Sequence, residues 1–168
     1  MVRAAISVDE YLSTAYEWTP DYLEGSLAER PTPSTQHSRV QLTIGAAFSS
    51  RERETGLYCY PEIHLPVAPQ RYRVADLAIF LGPAESPYPS RPPLAVMEIL
   101  SPQDSLSQLL ERLHDYHAWS VPNIWLIDPE HRTIHRYDGA SLLAVDAIEF
   151  APPVFRLSGA DLFAAASR

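Results

Sequence analysis

The sequence predicts an α/β fold with a central mixed β-sheet flanked by helices. Three observations predict it. Apolar residues recur at helical spacing in two separate segments, Val40-Ile44-Ala47-Phe48 and Leu106-Leu109-Leu110-Leu113-Tyr116. Between them lie near-continuous apolar runs, Val74 to Phe80 and Leu94 to Leu100, of the kind found in strands covered on both faces. Strand patterns then resume after the second helix, so helix, β-meander, helix and strands follow one another along the chain.

Each element has a local cause. Ser7-Val8-Asp9-Glu10 reads as a capping box that starts a short helix of about two turns, which Pro20 closes off. Tyr22 to Glu29 reads as a strand pair or a bent strand around Gly25, and Pro31 and Pro33 mark a loop. One helix is expected from Thr35 to about Arg53, ended by Gly56. Leu57 to Leu65 alternates as a strand, with Tyr58, Tyr60, Glu62 and His64 on one face. Arg73 to Leu81 and Leu94 to Leu100 are the next strands, separated by a Pro-rich loop from Gly82 to Pro93. Asp104 or Ser105 caps the second helix, whose five apolar residues form its buried stripe. Asn123 to Ile127, Thr133 to Tyr137 and Ser141 to Val145 are strands joined by Asp128-Pro129-Glu130-His131 and the hairpin turn Asp138-Gly139. A short helix is expected over Leu157 to Phe163, and there is no internal repeat.

Composition narrows the chemistry. At 168 residues the chain suits one domain spanning 1–168. No apolar run approaches the ~18 residues that cross a bilayer, and Asp9 and Glu10 come too early for a signal-peptide core. No membrane partner and a cytoplasmic location are therefore expected. Cys59 is the only cysteine, which excludes an internal disulfide and a cysteine-based zinc cluster. The net charge of −8 means that a nucleic acid must be met by a local basic patch against the overall field. All 13 basic residues are Arg, so no side-chain amine is available as a proton acceptor.

Two carboxylates stand out. Glu98 lies within Leu94-Ala95-Val96-Met97-Glu98-Ile99-Leu100, where an ionised group costs several kcal/mol unless it is paired, hydrogen-bonded or bound to metal. A buried ion pair, with Arg112 as partner, would explain it without any function. Asp76 poses the same problem within Val74-Ala75-Asp76-Leu77-Ala78-Ile79-Phe80. If the two strands are neighbours, the pair could converge on one hard cation such as Mg²⁺.

The stretch VMEILSP, followed by ERLHDYHAWSVPNIWLIDPEHRTIHRY, strongly resembles the Uma family of restriction-endonuclease-like proteins, in the PD-(D/E)XK nuclease superfamily. The resemblance extends back through VDEYL, DYLEGSL, PTPSTQHSRV and RVADLAIF and covers roughly residues 7–163. It implies a restriction-endonuclease-like core. The family's central Asp falls on Asp76, its following Glu on Glu98, and the His opening the long helix on His37. The acidic residue of the first strand, usually Glu, falls on Asp21. Ala75 stands for a Pro, Arg112 for the Lys of the later helix, and Gln108 for an Asp four residues before it.

The resemblance implies a Mg²⁺- or Mn²⁺-dependent phosphodiesterase acting on DNA. Asp76 and Glu98 would hold the cation, helped by Asp21 directly or through water. His37 would orient a phosphate or a neighbouring carboxylate. A homodimer is expected if both strands of a duplex are cut, since two-fold symmetry matches antiparallel strands. Arg112 cannot replace a Lys that acts as general base, but it can replace one that stabilises charge on phosphorus oxygens. The rival reading is a non-catalytic binding module on the same scaffold. The acidic charge, the absence of Lys and the departures at Asp21, Gln108 and Arg112 favour it.

Other signals carry less. His114-x-x-His117 and His131-x-x-x-His135 lack a third ligand, and His117 falls near the expected buried stripe. Arg71 and Arg73, with Arg51 and Arg53, are the best candidates for phosphate contact, although Glu52 and Glu54 balance the latter pair. Trp119 and Trp125 read as core or interface. No Gly-rich phosphate loop or Gly-x-Ser-x-Gly elbow is present, which counts against P-loop nucleotide hydrolysis and α/β-hydrolase chemistry.

Overall fold

The structure, a computed structural model, describes residues 5–167; Met1 to Ala4 and Arg168, which the sequence assigns to the same domain, lie outside the described residues. The N-terminal helix α1 (Val8–Ser13) is capped as expected, with the Ser7 hydroxyl accepting from the Glu10 N–H at 3.1 Å. Gly25, at φ +89°, turns the chain between β1 (Asp21–Leu23) and β2 (Ser26–Ala28), which form the anticipated strand pair.

Helix α2 (Thr35–Ser49) points Val40, Ile44 and Phe48 inward. It stops earlier than expected, and α3 (Glu52–Thr55) follows as a separate turn. The reason is visible in the pattern: the next positions of the apolar stripe after Phe48 are Arg51 and Glu52, which have no place against the sheet. Gly56 ends the segment in the left-handed region at φ +69°.

The strands β3 (Leu57–Ala68), β4 (Arg71–Leu81), β5 (Ala95–Ile99), β6 (Asn123–Asp128), β7 (Thr133–Tyr137) and β8 (Leu142–Val145) complete an eight-stranded sheet. Its order is β2-β1-β4-β5-β6-β7-β8, with β3 also on β4. The β5–β6 pair is parallel and the others are antiparallel, so the sheet is mixed as predicted. Helix α4 (Leu106–Ala118) makes the crossover between the parallel strands, as such connections require.

One layer of core lies between the sheet and α2, where Leu77, Ile79, Met97 and Trp125 meet Ile44 and Phe48. The other lies under α4, where Ala78, Phe80, Val96 and Leu126 meet Leu109 and Leu113. The inward residues of α4 are Leu109, Arg112, Leu113 and Tyr116; Leu106 and Leu110, which the sequence places in the stripe, are on the outer side at 65% and 37% exposure. Apolar periodicity admitted them because it cannot anticipate an arginine taking a core-facing position.

Two further strands, β9 (Ala147–Phe150) and β10 (Phe155–Ser158), form a small antiparallel sheet that sequence patterning did not assign. Their strand signals are short and interrupted by Pro152 and Pro153. The hairpin seats through aromatic packing: Phe155 stacks on Phe48 with ring centroids 3.8 Å apart. Consequently α5 (Gly159–Ala166) begins after Ser158, its N-cap, and Leu157 belongs to a strand.

Candidate active site

The geometry of β4 creates the site. β3 runs along one edge of β4 from Leu81 back to Arg71. The opposite edge is shared, with β1 pairing at Arg71 and Tyr72 and β5 pairing at Leu77 to Ile79. Between them, residues 73–76 have no strand partner on that edge, and the sheet forks. Buried backbone donors in a fork need acceptors. Asp21 supplies one through Oδ1, 2.9 Å from the Val74 N–H, and Asp76 supplies another through Oδ2, 2.8 Å from the Ile99 N–H.

The register Leu77–Met97, continued by one residue, sets Asp76 opposite Glu98 just past the last rung. Glu98, alternating with Val96, lies on the α4 side of the sheet with Ala78 and Phe80; Ala75 and Arg73 also face α4, so the alternation of β4 breaks at Asp76. Both carboxylates are buried, at 3% and 1% exposure. The sequence argument required them to meet at one point; the register makes them neighbours in adjacent strands, with Asp76 taking its side-chain partners from α2 and the loop before it and Glu98 taking its from α4.

Asp76 is gripped from two directions. Arg30, in the loop before α2, donates to Oδ1 at 2.5 Å, and its other terminal nitrogen donates to Glu62 at 2.6 Å. His37 Nε2, in the first turn of α2, lies 3.1 Å from Oδ2. Burial pushes the Asp76 carboxyl upward, but the bond from His37, the charge of Arg30 and the Ile99 N–H together hold it below the ordinary value. Reciprocally, burial depresses His37, and the hydrogen bond and charge of Asp76 overcome this and raise it. Gln41, one helical turn beyond His37, donates to the Asp76 carbonyl and to Glu62 at 2.9 Å each. Glu62 itself sits at φ +50°, a backbone distortion at the point where β3 passes Asp76.

Glu98 faces α4. Arg112 Nη1 lies 3.1 Å from Oε2, and the Tyr116 hydroxyl donates to Oε1 at 2.6 Å. Arg112 and Tyr116 are four residues apart, so one helix face presents both. Burial raises the Glu98 carboxyl to about 7, with Arg112 opposing the shift and Asp76 reinforcing it. Asp21 spends its second oxygen on Arg73 at 2.9 Å and Arg112 at 3.4 Å. Arg112 thus bridges the first-strand acid and Glu98, and the ion pair that the bland reading of Glu98 supposed is present.

The five residues singled out from sequence, Asp21, His37, Asp76, Glu98 and Arg112, are gathered in this fork. Three participants were missed. Arg30 precedes two prolines in a loop and carries no local signal. Tyr116 was read as packing, although its spacing from Arg112 was available. Arg73 was expected to meet phosphate; instead it and Arg71 are enclosed by Asp21, Glu24, Glu111 and Asp115. Of the Tyr58, Tyr60, Glu62 and His64 face, only Glu62 lines the cleft beside Asp76, a cavity of about 470 Å³. His117 is exposed rather than near the stripe, and His131 pairs with Asp128 at 2.8 Å.

For a hard divalent cation the donor type is right, since Asp76 and Glu98 offer carboxylate oxygens and such ions keep several waters. Among the described residues, however, no group of three His, Cys, Asp or Glu side chains is drawn together around one point. Arginines hold the carboxylates instead. The pair therefore fits a cation in chemistry, on condition that an arginine contact is exchanged for it.

A forked mixed sheet flanked by helices, with buried acids at the fork, defines an α/β protein with a candidate site at the sheet opening. A crystal structure from Anabaena variabilis, described as a "putative nuclease belonging to DUF820", superposes with a TM-score of 0.82 at 22% identity, covering 96% of this chain and 99% of that one. At that identity the likeness establishes the fold. The family model Uma2, "Putative restriction endonuclease", matches residues 8–149, and the chain belongs to that family. No curated protein matches it. Among the described residues no helix is long and apolar enough to cross a membrane.

Proposed function

We propose that residues 1–168 form one catalytic domain that hydrolyses phosphodiester bonds in DNA, with Mg²⁺ or Mn²⁺ held by Asp76 and Glu98. The observation that carries this reading is the position of those two buried acids opposite each other in adjacent strands, where the sheet opens. A divalent cation, when bound, supplies charge neutralisation at the phosphate and lowers the pKa of water.

The chain's own groups divide the remaining work. His37 and the Ile99 N–H keep Asp76 ionised and oriented. Tyr116 fixes Glu98 by its hydroxyl. Arg112 stays charged at all relevant pH values, so it stabilises negative charge developing on the phosphate and takes no proton. Asp21 helps hold the cation directly or through water, and it positions Arg112 and Arg73. A cytoplasmic homodimer is the assembly that suits cutting both strands of a duplex.

The test is incubation with single-stranded, duplex and supercoiled DNA in Mg²⁺, Mn²⁺ or EDTA, beside Glu98→Gln. The expected result is cation-dependent nicking or cleavage that the variant lacks. One observation favours the rival reading, a non-catalytic module: every carboxylate of the fork already has an arginine or histidine partner. Absence of turnover together with absence of calorimetric Mn²⁺ binding would decide for it.

A further inference from the structure

Arg30 is the least expected occupant of the fork. Its side chain is 13% exposed, and it comes from a connecting loop rather than from a strand or helix of the scaffold. It takes the only Asp76 oxygen that is free of His37 and the Ile99 N–H. Its other terminal nitrogen holds Glu62, and its charge also acts on Glu98. A single guanidinium therefore answers the negative charge of three acids, which is the electrostatic task of a divalent cation at this position.

The seat is imperfect. Arg30 Nε is buried without any hydrogen-bond partner, so part of the guanidinium's desolvation is uncompensated. Arg112 shares the unpartnered Nε and is likewise held by two acids, Glu98 and Asp21; Arg30 differs in coming from a loop and in lining the open cleft. Beside Arg30 lies the cavity of about 470 Å³, lined by Trp18, Thr19, Pro31 and Thr32, which gives the side chain room to withdraw. Neighbouring Pro31 and Pro33 restrict the backbone, so withdrawal runs through rotation of the side chain into that cavity.

We propose that Arg30 is an intramolecular competitor of the divalent cation: it occupies Asp76 in the metal-free protein and must leave for the ion to bind. The inference rests on the reading of Asp76 and Glu98 as the cation-holding pair. Arg30 thereby sets the cation affinity of the site and keeps the acids neutralised, and the fold intact, when no ion is present.

The experiment is calorimetric titration of the full chain with Mn²⁺, comparing the natural protein with Arg30→Met, Arg30→Gln and Arg39→Met. Arg39 is an exposed arginine on α2 that touches no acid of the fork, so its variant controls for the loss of one positive charge. If the competent, Arg30-free form is a tenth of the population or less, both Arg30 variants bind Mn²⁺ at least about tenfold more tightly. Arg39→Met is expected to stay within about twofold, because exposed charges are screened. Thermal unfolding supplies the second readout: the Arg30 variants melt lower than the natural protein in EDTA and regain the deficit in saturating Mn²⁺. Equal affinities in the natural protein and both Arg30 variants would overturn the competition while leaving the proposed function standing. An equal gain in Arg39→Met would also overturn it, as a charge effect without competition. No Mn²⁺ binding in any of the proteins would overturn both readings together.

Discussion

Glu98→Gln should change how stability depends on pH, by an amount set by the burial of one carboxyl. Glu98 is 1% exposed, and burial raises it from 4.5 to about 7, Arg112 notwithstanding. The folded chain therefore holds this proton more tightly than the unfolded chain does. Between pH 4.5 and about 7 the native state binds more protons, so the free energy of unfolding falls as pH rises. The contribution is full below the unfolded value and is lost as pH passes the folded one. Its slope is at most about 1.4 kcal/mol per pH unit, hence about 3 kcal/mol across the window. In a domain of this size that corresponds to about 6–12 °C in Tm. Glutamine has no proton to lose, so this part of the profile disappears in the variant. His37, also raised, adds a loss above its ordinary 6.5, and depressed Asp76 gives the opposite trend below 3.8. Both occur in the two proteins and largely cancel in the difference. Urea unfolding in EDTA, followed by tryptophan fluorescence at several values from pH 4.5 to 8, measures it. Parallel profiles for the two proteins would refute the claim that burial governs Glu98.

Two other outcomes follow from the packing and from the chemistry of arginine. Phe48→Ala removes a fully buried ring stacked on Phe155 and should cost about 3–5 kcal/mol in denaturant unfolding, loosening β9–β10 against the sheet. A loss below about 1 kcal/mol would mean that the hairpin repacks without it. Arg112→Lys keeps the charge but not the two-pronged reach to Glu98 and Asp21, so it should destabilise the fold and, under the proposed function, retain cleavage with an unchanged pH profile. A new rise in rate with increasing pH in that variant would show that the position can work through proton abstraction.

Much of this molecule was legible before any coordinates. Helical spacing located α2 and α4, the apolar runs located β4 and β5, and Gly56 and Gly25 marked turns that require left-handed backbone. Asp76 and Glu98 announced themselves because a carboxylate inside an apolar strand is expensive, and that expense is a local property of the chain. The missed features are of another kind. β9 and β10 exist because Phe155 finds Phe48 more than a hundred residues away. Arg73 turns to Asp21 and Asp115 rather than to a phosphate. Arg30 reaches Asp76 across 46 positions of sequence.

The sequence by itself determined most of the helices and strands, β9 and β10 excepted, and which acids had to be accounted for, since periodicity, capping and desolvation act over a few neighbouring residues. Tertiary structure alone decided the cations that the sequence did not name, Arg30 for Asp76 and Arg73 for Asp21. Partner choice depends on where distant segments meet when β4 shares one edge between β1 and β5, and no local pattern encodes that meeting.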